Sequence, residues 1–223
     1  MPNYCSNSLD VSADVKDIQA LKQLEDFVKT SIFEDGDKFT FEGVLPMPKE
    51  LLDITCPTQD KDKAKAQANL KKYGHTDWYD WRIAVWGAKW DAYDTYTNDL
   101  QEDYVGIGFT TAWSPPLPYY KALSEKYPLL TIEIEYSEPG CDFAGREKYE
   151  GGELVEEEHY TYNMYEFIYD KPSFWDNLYY QFEDEEYTLE DFIENCSDVW
   201  EIMNETDKDE VRDIIKQTQN QEL

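Results

Sequence analysis

The chain has 223 residues, of which 41% are hydrophobic and 16% are aromatic, and its formal net charge is -29. This apolar content is enough to build a buried core, so the composition argues against a globally disordered chain. The negative charge argues against direct binding to nucleic acid or to an anionic membrane. No run of apolar residues approaches the ~20 that a membrane span needs.

The start of the chain and its cysteines predict where the protein folds. Residues 1–7 contain neither the basic nor the apolar region of a secretion signal, so we expect a cytoplasmic protein. The four cysteines are far apart and form no C-x-x-C pair, and only two histidines accompany them. We therefore expect reduced, mostly buried thiols, and neither a cofactor nor a metal site.

The first part of the chain predicts a strand, a helix and an extended segment. The strand is indicated by four alternating residues: Cys5, Asn7, Leu9 and Val11. Asp14 is the predicted N-cap of the helix, whose apolar stripe recurs at helical spacing: Val15, Ile18, Leu21, Leu24 and Val28. Residues 39–45 are predicted to be extended, because the Pro-Met-Pro sequence that follows them excludes a helix. Residues 57–73 predict an exposed polar helix.

The middle of the chain predicts a strand, a helix and a second strand. In residues 104–113 one face holds Val105, Ile107, Phe109 and Thr111, while the acidic segment before it, residues 98–103, is interpreted as a turn. Ser114 and Pro115 are the predicted N-cap and first residue of a helix that Pro128 stops. The next strand is indicated by Leu130, Ile132, Ile134 and Tyr136.

The last part of the chain predicts a hairpin and a helical tail. Gly151 and Gly152 separate two extended runs, residues 141–150 and 153–163, which is typical of a β-hairpin. Thr188 with Asp191 predicts the start of a helix with an apolar stripe, and Thr206 with Asp209 predicts the start of another. We expect these stripes to dock onto something, with the core domain as the default partner.

This order of elements predicts an α+β fold. A β-α-β-β-α-β arrangement is the split βαβ, or ferredoxin-like, plan, here with an added β-hairpin and an acidic helical C-terminal extension. We expect residues 1–165 to form this domain, with the polar helix 57–73 inserted. Residues 166–223 are expected to form the acidic helical extension, packed on the core.

Four tryptophans lie between positions 78 and 90, interleaved with charged residues. Two interpretations remain open for this segment: an aromatic core with satisfied polar partners, or the wall of a ligand pocket. Core is favoured, because base stacking normally comes with a basic track that the segment lacks. The candidate residues are Trp78, Trp81, Arg82, Trp86, Lys89, Trp90 and Asp91.

The negative charge is concentrated in the second part of the chain. Residues 131–223 hold 28 acidic against 6 basic residues, a balance of -22. Two runs supply closely spaced carboxylates, one on the predicted hairpin and one before the tail helix: Glu153, Glu156, Glu157, Glu158, Glu183, Asp184, Glu185 and Glu186. These are candidate contacts to a partner with a basic surface, although solubility alone would also account for acidic runs.

Four segments resemble the YubB-like, Api-type ferredoxin-like family of phages, plasmids and pathogenicity islands. They are residues 1–7, 45–48, 86–91 and 111–116, and the most specific is Trp86-Gly87-Ala88-Lys89-Trp90-Asp91. The resemblance spans roughly residues 1–165 and leaves residues 166–223 outside. It implies the ferredoxin-like fold and cargo of a mobile element, and it carries over no catalytic residue.

We therefore expect a non-enzymatic acidic binding protein that occupies the basic surface of a host defence or nucleic-acid-handling protein, such as a nuclease, restriction or CRISPR-type effector. The sequence contains no G-x-S-x-G, P-loop, H-E-x-x-H or G-x-G-x-x-G motif. The alternatives are a nucleotide-binding module with a Trp-lined pocket, or an enzyme. The oligomeric state stays open.

Overall fold

The computed structural model describes residues 3–33, 38–183 and 188–219. The chain divides into two compact units, which are Met1–Cys141 with Gly145–His159, and Asp142–Ala144 with Tyr160–Leu223. We call them the sheet unit and the helical unit. No helix in the described ranges is both long and apolar enough to cross a membrane.

The strands are β1 (Tyr4–Ala13), β2 (Ile32–Phe33), β3 (Lys38–Phe39), β4 (Tyr93–Leu100), β5 (Tyr104–Ala112), β6 (Leu130–Glu138), β7 (Phe143–Glu150) and β8 (Glu153–Tyr160). The helices of the sheet unit are α1 (Ile18–Ser31), α2 (Lys49–Leu52), α3 (Lys63–Tyr73), α4 (Trp78–Val85) and α5 (Leu117–Lys126). The helices of the helical unit are α6 (Tyr162–Tyr169), α7 (Lys171–Glu183), α8 (Leu189–Asn195), α9 (Ser197–Ile202) and α10 (Glu205–Gln219).

The main sheet confirms the ferredoxin-like α+β fold. Within the described residues it has six strands in the order β4-β5-β1-β6-β7-β8. The elements β1-α1-β4-β5-α5-β6 form the split βαβ plan, with β1 antiparallel to both β5 and β6. Leu9 pairs with Ile107 on one side and with Ile134 on the other, and all three are buried. The alternation predicted for these strands therefore defines the buried face.

The second strand of this plan is β4, and its prediction from residues 39–45 was wrong. Those residues contain only the short strand β3 and then a 3-10 turn at Phe41–Gly43, whose N-cap Thr40 accepts a hydrogen bond from the Glu42 amide. β4 is a polar edge strand with register shifts against β5, so its period-two pattern is weak. Residues 98–100, interpreted as part of a turn, belong to it.

Both helices on the sheet begin later than predicted. The side chain of Asp17, not that of Asp14, caps α1 by accepting from the amides of Gln19 at 2.8 Å and Ala20 at 3.3 Å. The buried face of α1 is Ala20, Leu24, Phe27 and Ser31, which leaves the predicted Val15 and Ile18 exposed. α5 begins at Leu117, with Pro116 rather than Ser114 at the N-cap position, and the Ser114 hydroxyl donates to the carbonyl of Gly87 at 2.9 Å.

The predicted hairpin is confirmed as β7 and β8. Gly151 and Gly152 both have positive φ, 60° and 85°, which a two-residue hairpin turn requires and which favours glycine. The amide of Gly152 donates to the hydroxyl of Ser124 on α5 at 2.8 Å. The turn of the hairpin is thus fixed to the sheet unit.

The helical unit has a core of its own. The capping box of Thr188 and Asp191 at the start of α8 is confirmed. α10 begins at Glu205 rather than after Thr206, and Asn204 accepts from the amide of Asp207 at 3.0 Å. The tail helices bury their apolar stripes against α6 and α7 within this unit: Phe167, Phe174, Leu178, Phe182, Phe192, Cys196, Val199, Met203, Val211, Ile214 and Ile215.

Candidate functional site: an acidic edge of the sheet

Glutamates concentrate at the β8 end of the main sheet. Every residue from Glu153 to His159 is exposed, and β8 is one of the two outermost strands of the main sheet. On β6, Glu133 and Glu135 alternate with the buried Ile132 and Ile134 and so point to the opposite, outer face. We call the following set the acidic edge: Glu133, Glu135, Glu150, Glu153, Glu156, Glu157 and Glu158.

Two basic residues of β7 lie within the acidic edge. The Nζ atom of Lys148 is 3.5 Å from Glu133, 3.3 Å from Glu150 and 3.9 Å from Glu156. Its hydrogen bond to Glu150 raises the pKa of Lys148, so the ammonium stays charged. The Nε atom of Arg146 is 3.2 Å from Glu135. Seven glutamates against two cations leave this edge with a balance of -5.

A chain of polar side chains lies beside the acidic edge. Glu147 is 4% exposed and accepts from the hydroxyl of Tyr149 at 2.6 Å and from that of Tyr136 at 3.4 Å. The Tyr136 hydroxyl also lies 3.2 Å from Nδ1 of His159, and Nε2 of His159 lies 2.7 Å from Glu157. Burial, with a smaller effect of the Glu147 charge, raises the pKa of Tyr136, so this phenol stays protonated at neutral pH.

The Trp-rich segment contributes mainly to the core of the sheet unit. Trp86 is fully buried, and its Nε1 donates to the carbonyl of Leu45 at 2.9 Å. Its ring lies edge-on to those of Trp81 and Phe41, with centroids 5.4 Å and 5.7 Å away. Asp91 accepts from the amide of Phe41 at 2.8 Å. This is the aromatic core with satisfied polar partners that the sequence favours.

The charged and outer members of this segment are less enclosed. The guanidinium of Arg82 lies over the rings of Trp78 and Trp86, 5.3 Å and 5.0 Å from their centroids. Burial lowers the pKa of Arg82, and the nearby Asp91 partly opposes that shift. Lys89 lies 4.6 Å from the ring centroid of Trp90, which is 36% exposed. These contacts are cation–π pairs within the protein.

The second predicted acidic run cannot be placed with the first. Glu183 is the last residue of α7, and Asp184, Glu185 and Glu186 lie outside the described residues. The candidate surface therefore consists of the hairpin glutamates and their neighbours in the sheet.

Sequence patterns did not identify several residues of this region. Glu133, Glu135, Arg146 and Lys148 join the acidic edge only because β6 and β7 lie beside one another in the sheet. The sequence shows that Glu133 and Glu135 alternate with apolar residues on β6, but it does not show which strands are neighbours in the sheet.

An apolar groove that the sequence did not indicate lies elsewhere in the sheet unit. Its volume is about 410 Å³, and no tryptophan lines it. It runs along α1 and past the end of β4: Ile18, Leu21, Lys22, Leu24, Glu25, Val28, Leu100, Gln101 and Glu102. The groove is therefore lined by three residues of the predicted apolar stripe of α1 that are not fully buried: Ile18, Leu21 and Val28.

A family model, a curated protein and a solved structure are similar to this chain. Residues 92–190 match the model of a family described as the ferredoxin-like domain in Api92-like protein. The uncharacterized protein YubB of Escherichia coli (strain K12) is 30% identical over 79 residues, which are 35% of this chain and 54% of that protein. The chain thus matches about half the length of this relative. The crystal structure of protein api92 from Yersinia pseudotuberculosis is similar over 72% of this chain and 98% of its own, with a TM-score of 0.42 and 10% identity.

The strand order defines a ferredoxin-like α+β protein, and its outermost strand gives the sheet an acidic edge. Residues 92–190 match the ferredoxin-like domain of Api92-like proteins, and the expected resemblance to the YubB-like, Api-type family is confirmed. The match begins directly before β4 and continues to residue 190. It therefore includes residues 166–190, although the resemblance was expected to end near residue 165.

Proposed function

We propose that this protein is a non-enzymatic binding protein whose acidic edge engages the basic surface of another protein. The observation that carries this proposal is the row of exposed glutamates on β8, joined by those of β6 and β7. Strands of a packed sheet hold their side chains at fixed spacing, so the charges are arranged before a partner arrives. Such preorganised charge attracts and orients a cationic partner.

The partner's chemistry follows from the sign and density of the charge. The surfaces that proteins use to hold DNA or RNA are rich in Lys and Arg, and a rigid row of carboxylates competes with phosphates for them. We therefore propose a nucleic-acid-handling protein as the partner. In the finer form of the proposal the chain belongs to a mobile element, and the partner is a host nuclease, restriction or CRISPR-type effector.

The state of the cysteines supports a binding role over thiol chemistry. Burial raises the pKa of Cys5 to about 12 and that of Cys196 to about 11. Burial also raises the pKa of Cys56, and a hydrogen bond with Glu138 raises that of Cys141. All four thiols are free, and all stay protonated at neutral pH. The thiolate is the nucleophilic form, so none is activated.

Another explanation for charges on β8 is protection. Charged side chains on an outer strand prevent it from pairing with other chains, and this role needs no partner. The two explanations differ in what neutral substitutions do. If the charges only protect, replacing them leaves every specific interaction unchanged; if they bind, it weakens one.

The test is a pull-down with the tagged protein from a bacterial lysate, washed at low and then at high salt and followed by mass spectrometry. Three forms are compared: the wild type, a variant with Gln at Glu153, Glu156, Glu157 and Glu158, and a control. The control neutralises four exposed acids elsewhere in the sheet unit, Glu25, Asp53, Glu102 and Glu125, so both variants change the net charge equally.

We expect the wild type and the control to recover a DNA- or RNA-handling protein that salt elutes, and the hairpin variant to lose it. Four exposed charge pairs at roughly 0.2–1 kcal/mol each amount to about 1–4 kcal/mol, an affinity loss of about five- to several-hundred-fold. A duplex oligonucleotide should compete with this protein for the partner. Equal recovery by all three forms, or binding that salt does not weaken, would overturn the proposal.

A further inference from the structure

The carboxylate of Glu147 is a buried charge without a cation. It is 4% exposed, and among the described residues it accepts hydrogen bonds from the hydroxyls of Tyr136 and Tyr149 and forms no ion pair. The nearest basic positions on its own strand, Arg146 and Lys148, pair with other glutamates. Burying a carboxylate is costly unless a positive charge or several donors compensate it.

Two potential metal ligands of β8 converge on this carboxylate. Glu157 and His159 are two residues apart on one strand, so their side chains share a face. One ring nitrogen of His159 and one oxygen each of Glu147 and Glu157 all lie within 4.8 Å of one another. The side chains of His159 and Glu157 are 59% and 48% exposed, so an ion would enter from solvent.

The Tyr136 hydroxyl has two acceptors but only one proton when His159 is neutral and bears its own proton on Nε2. In that form Nε2–H donates to Glu157, and the single Tyr136 proton has two acceptors, Glu147 at 3.4 Å and Nδ1 of His159 at 3.2 Å. An ion on Nε2 would move the imidazole proton to Nδ1, which would donate to Tyr136 and leave the phenol proton for Glu147. Metal-bound histidines commonly donate their second N–H in this way.

We propose that Glu147, Glu157 and His159 form a binding site for a Zn²⁺ ion. Zn²⁺ takes imidazole nitrogen together with carboxylate oxygen, and three protein ligands leave a position for water. The ion would supply the positive charge that Glu147 lacks. The site goes beyond the proposed function. The hairpin was predicted, but the sequence did not show which residues of β7 lie beside Glu157 and His159.

The experiment titrates the purified protein with ZnCl₂ by isothermal calorimetry and with CoCl₂ by visible absorption. A tenfold excess of CaCl₂ is present throughout, because Ca²⁺ occupies exposed carboxylates and has little affinity for imidazole. The variants are H159Q and E147Q. The chain offers matched controls in H75Q, which removes the other histidine, and E156Q, which removes a neighbouring glutamate of β8.

We expect one Zn²⁺ per chain in the wild type, in H75Q and in E156Q, with a Co²⁺ absorption band in each. H159Q should bind at least about tenfold more weakly, since changing even an outer residue of a metal site costs about 10–100-fold. His159 is exposed, so H159Q should fold normally; circular dichroism checks E147Q, whose buried carboxylate matters to packing.

Equal binding by the wild type and H159Q would overturn the proposal, as would complete displacement of Zn²⁺ by Ca²⁺. Either result would leave Glu157 and His159 as a simple ion pair. The titration contains no partner protein. A failure of the metal site is thus separate from a failure of the acidic edge as a recognition surface.

Discussion

The Trp-rich segment and the acidic edge are both rich in aromatic or charged residues, yet the first is largely buried and the second is exposed. Trp81 and Trp86 are buried, and Asp91 is held by hydrogen bonds to the backbone. The hairpin strand β8 is exposed along its charged length. Residue type marks a segment as unusual, whereas burial decides whether it supports the fold or is available to a partner.

The difference has a simple physical origin. An aromatic side chain stabilises the fold in proportion to the area it removes from water, so Trp81 and Trp86 are drawn into the core. A carboxylate loses free energy when it leaves water, so a run of glutamates is accommodated on an outermost strand. We therefore expect substitutions in the first region to change the free energy of unfolding, and substitutions in the second to change binding.

The largest effect should come from Trp86→Ala. The substitution empties a fully buried site and leaves the carbonyl of Leu45 without its indole donor, so we expect the free energy of unfolding to fall by about 3–5 kcal/mol. Urea denaturation followed by circular dichroism measures it. Trp90→Ala is the matched control, because Trp90 is 36% exposed and should change stability far less. If both variants lose the same free energy of unfolding, burial does not decide which tryptophans stabilise the fold.

A smaller loss should follow from Asp91→Ala. Asp91 accepts from the Phe41 amide at 2.8 Å and from the Thr40 hydroxyl at 2.5 Å, and Phe41 is fully buried. A buried donor left without an acceptor costs about 1–3 kcal/mol, which the same urea experiment would detect.

The control for this substitution is Asp53→Ala. Asp53 is exposed, and its side chain forms no hydrogen bond with any described residue. A loss of stability in Asp53→Ala equal to that in Asp91→Ala would show that net charge, rather than these hydrogen bonds, sets the effect.

Most of the fold could be predicted from local patterns. The alternation in β1, β5 and β6 and the Gly-Gly turn of the hairpin each depend on neighbours in sequence. β4 was missed because an outermost strand with register shifts need not alternate, and Asp94 within it has a φ of 49°. The helix starts were misplaced because Asp17 and Asp14 are equally plausible caps until the backbone selects one.

The candidate site was predictable only in part, for a related reason. The exposure of the hairpin glutamates follows from their charge, and the structure shows it. The contribution of Glu133, Glu135 and Lys148 depends on strand order, which brings together residues that are up to 23 positions apart in sequence, such as Glu133 and Glu156. For Glu147 with His159 the pairing of the two strands was predicted as a hairpin, but which residues lie beside one another was not.

The smallest effect on stability should come from the hairpin variant with Gln at Glu153, Glu156, Glu157 and Glu158. Exposed ion pairs such as Lys148 with Glu156 contribute roughly 0–1 kcal/mol, and removing four like charges relieves repulsion that opposes compaction. We expect the free energy of unfolding to change by less than about 1 kcal/mol, in either direction.

The binding experiment can be interpreted only if the hairpin variant is as stable as the wild type. If the variant keeps its stability and loses its partner, the lost affinity belongs to the charges themselves. If the free energy of unfolding falls by several kcal/mol, the glutamates stabilise the hairpin. The acidic edge would then support the fold, as the Trp-rich segment does. Measuring the unfolding of this variant in low and in high salt separates the cases, because screening should abolish any contribution of exposed charge.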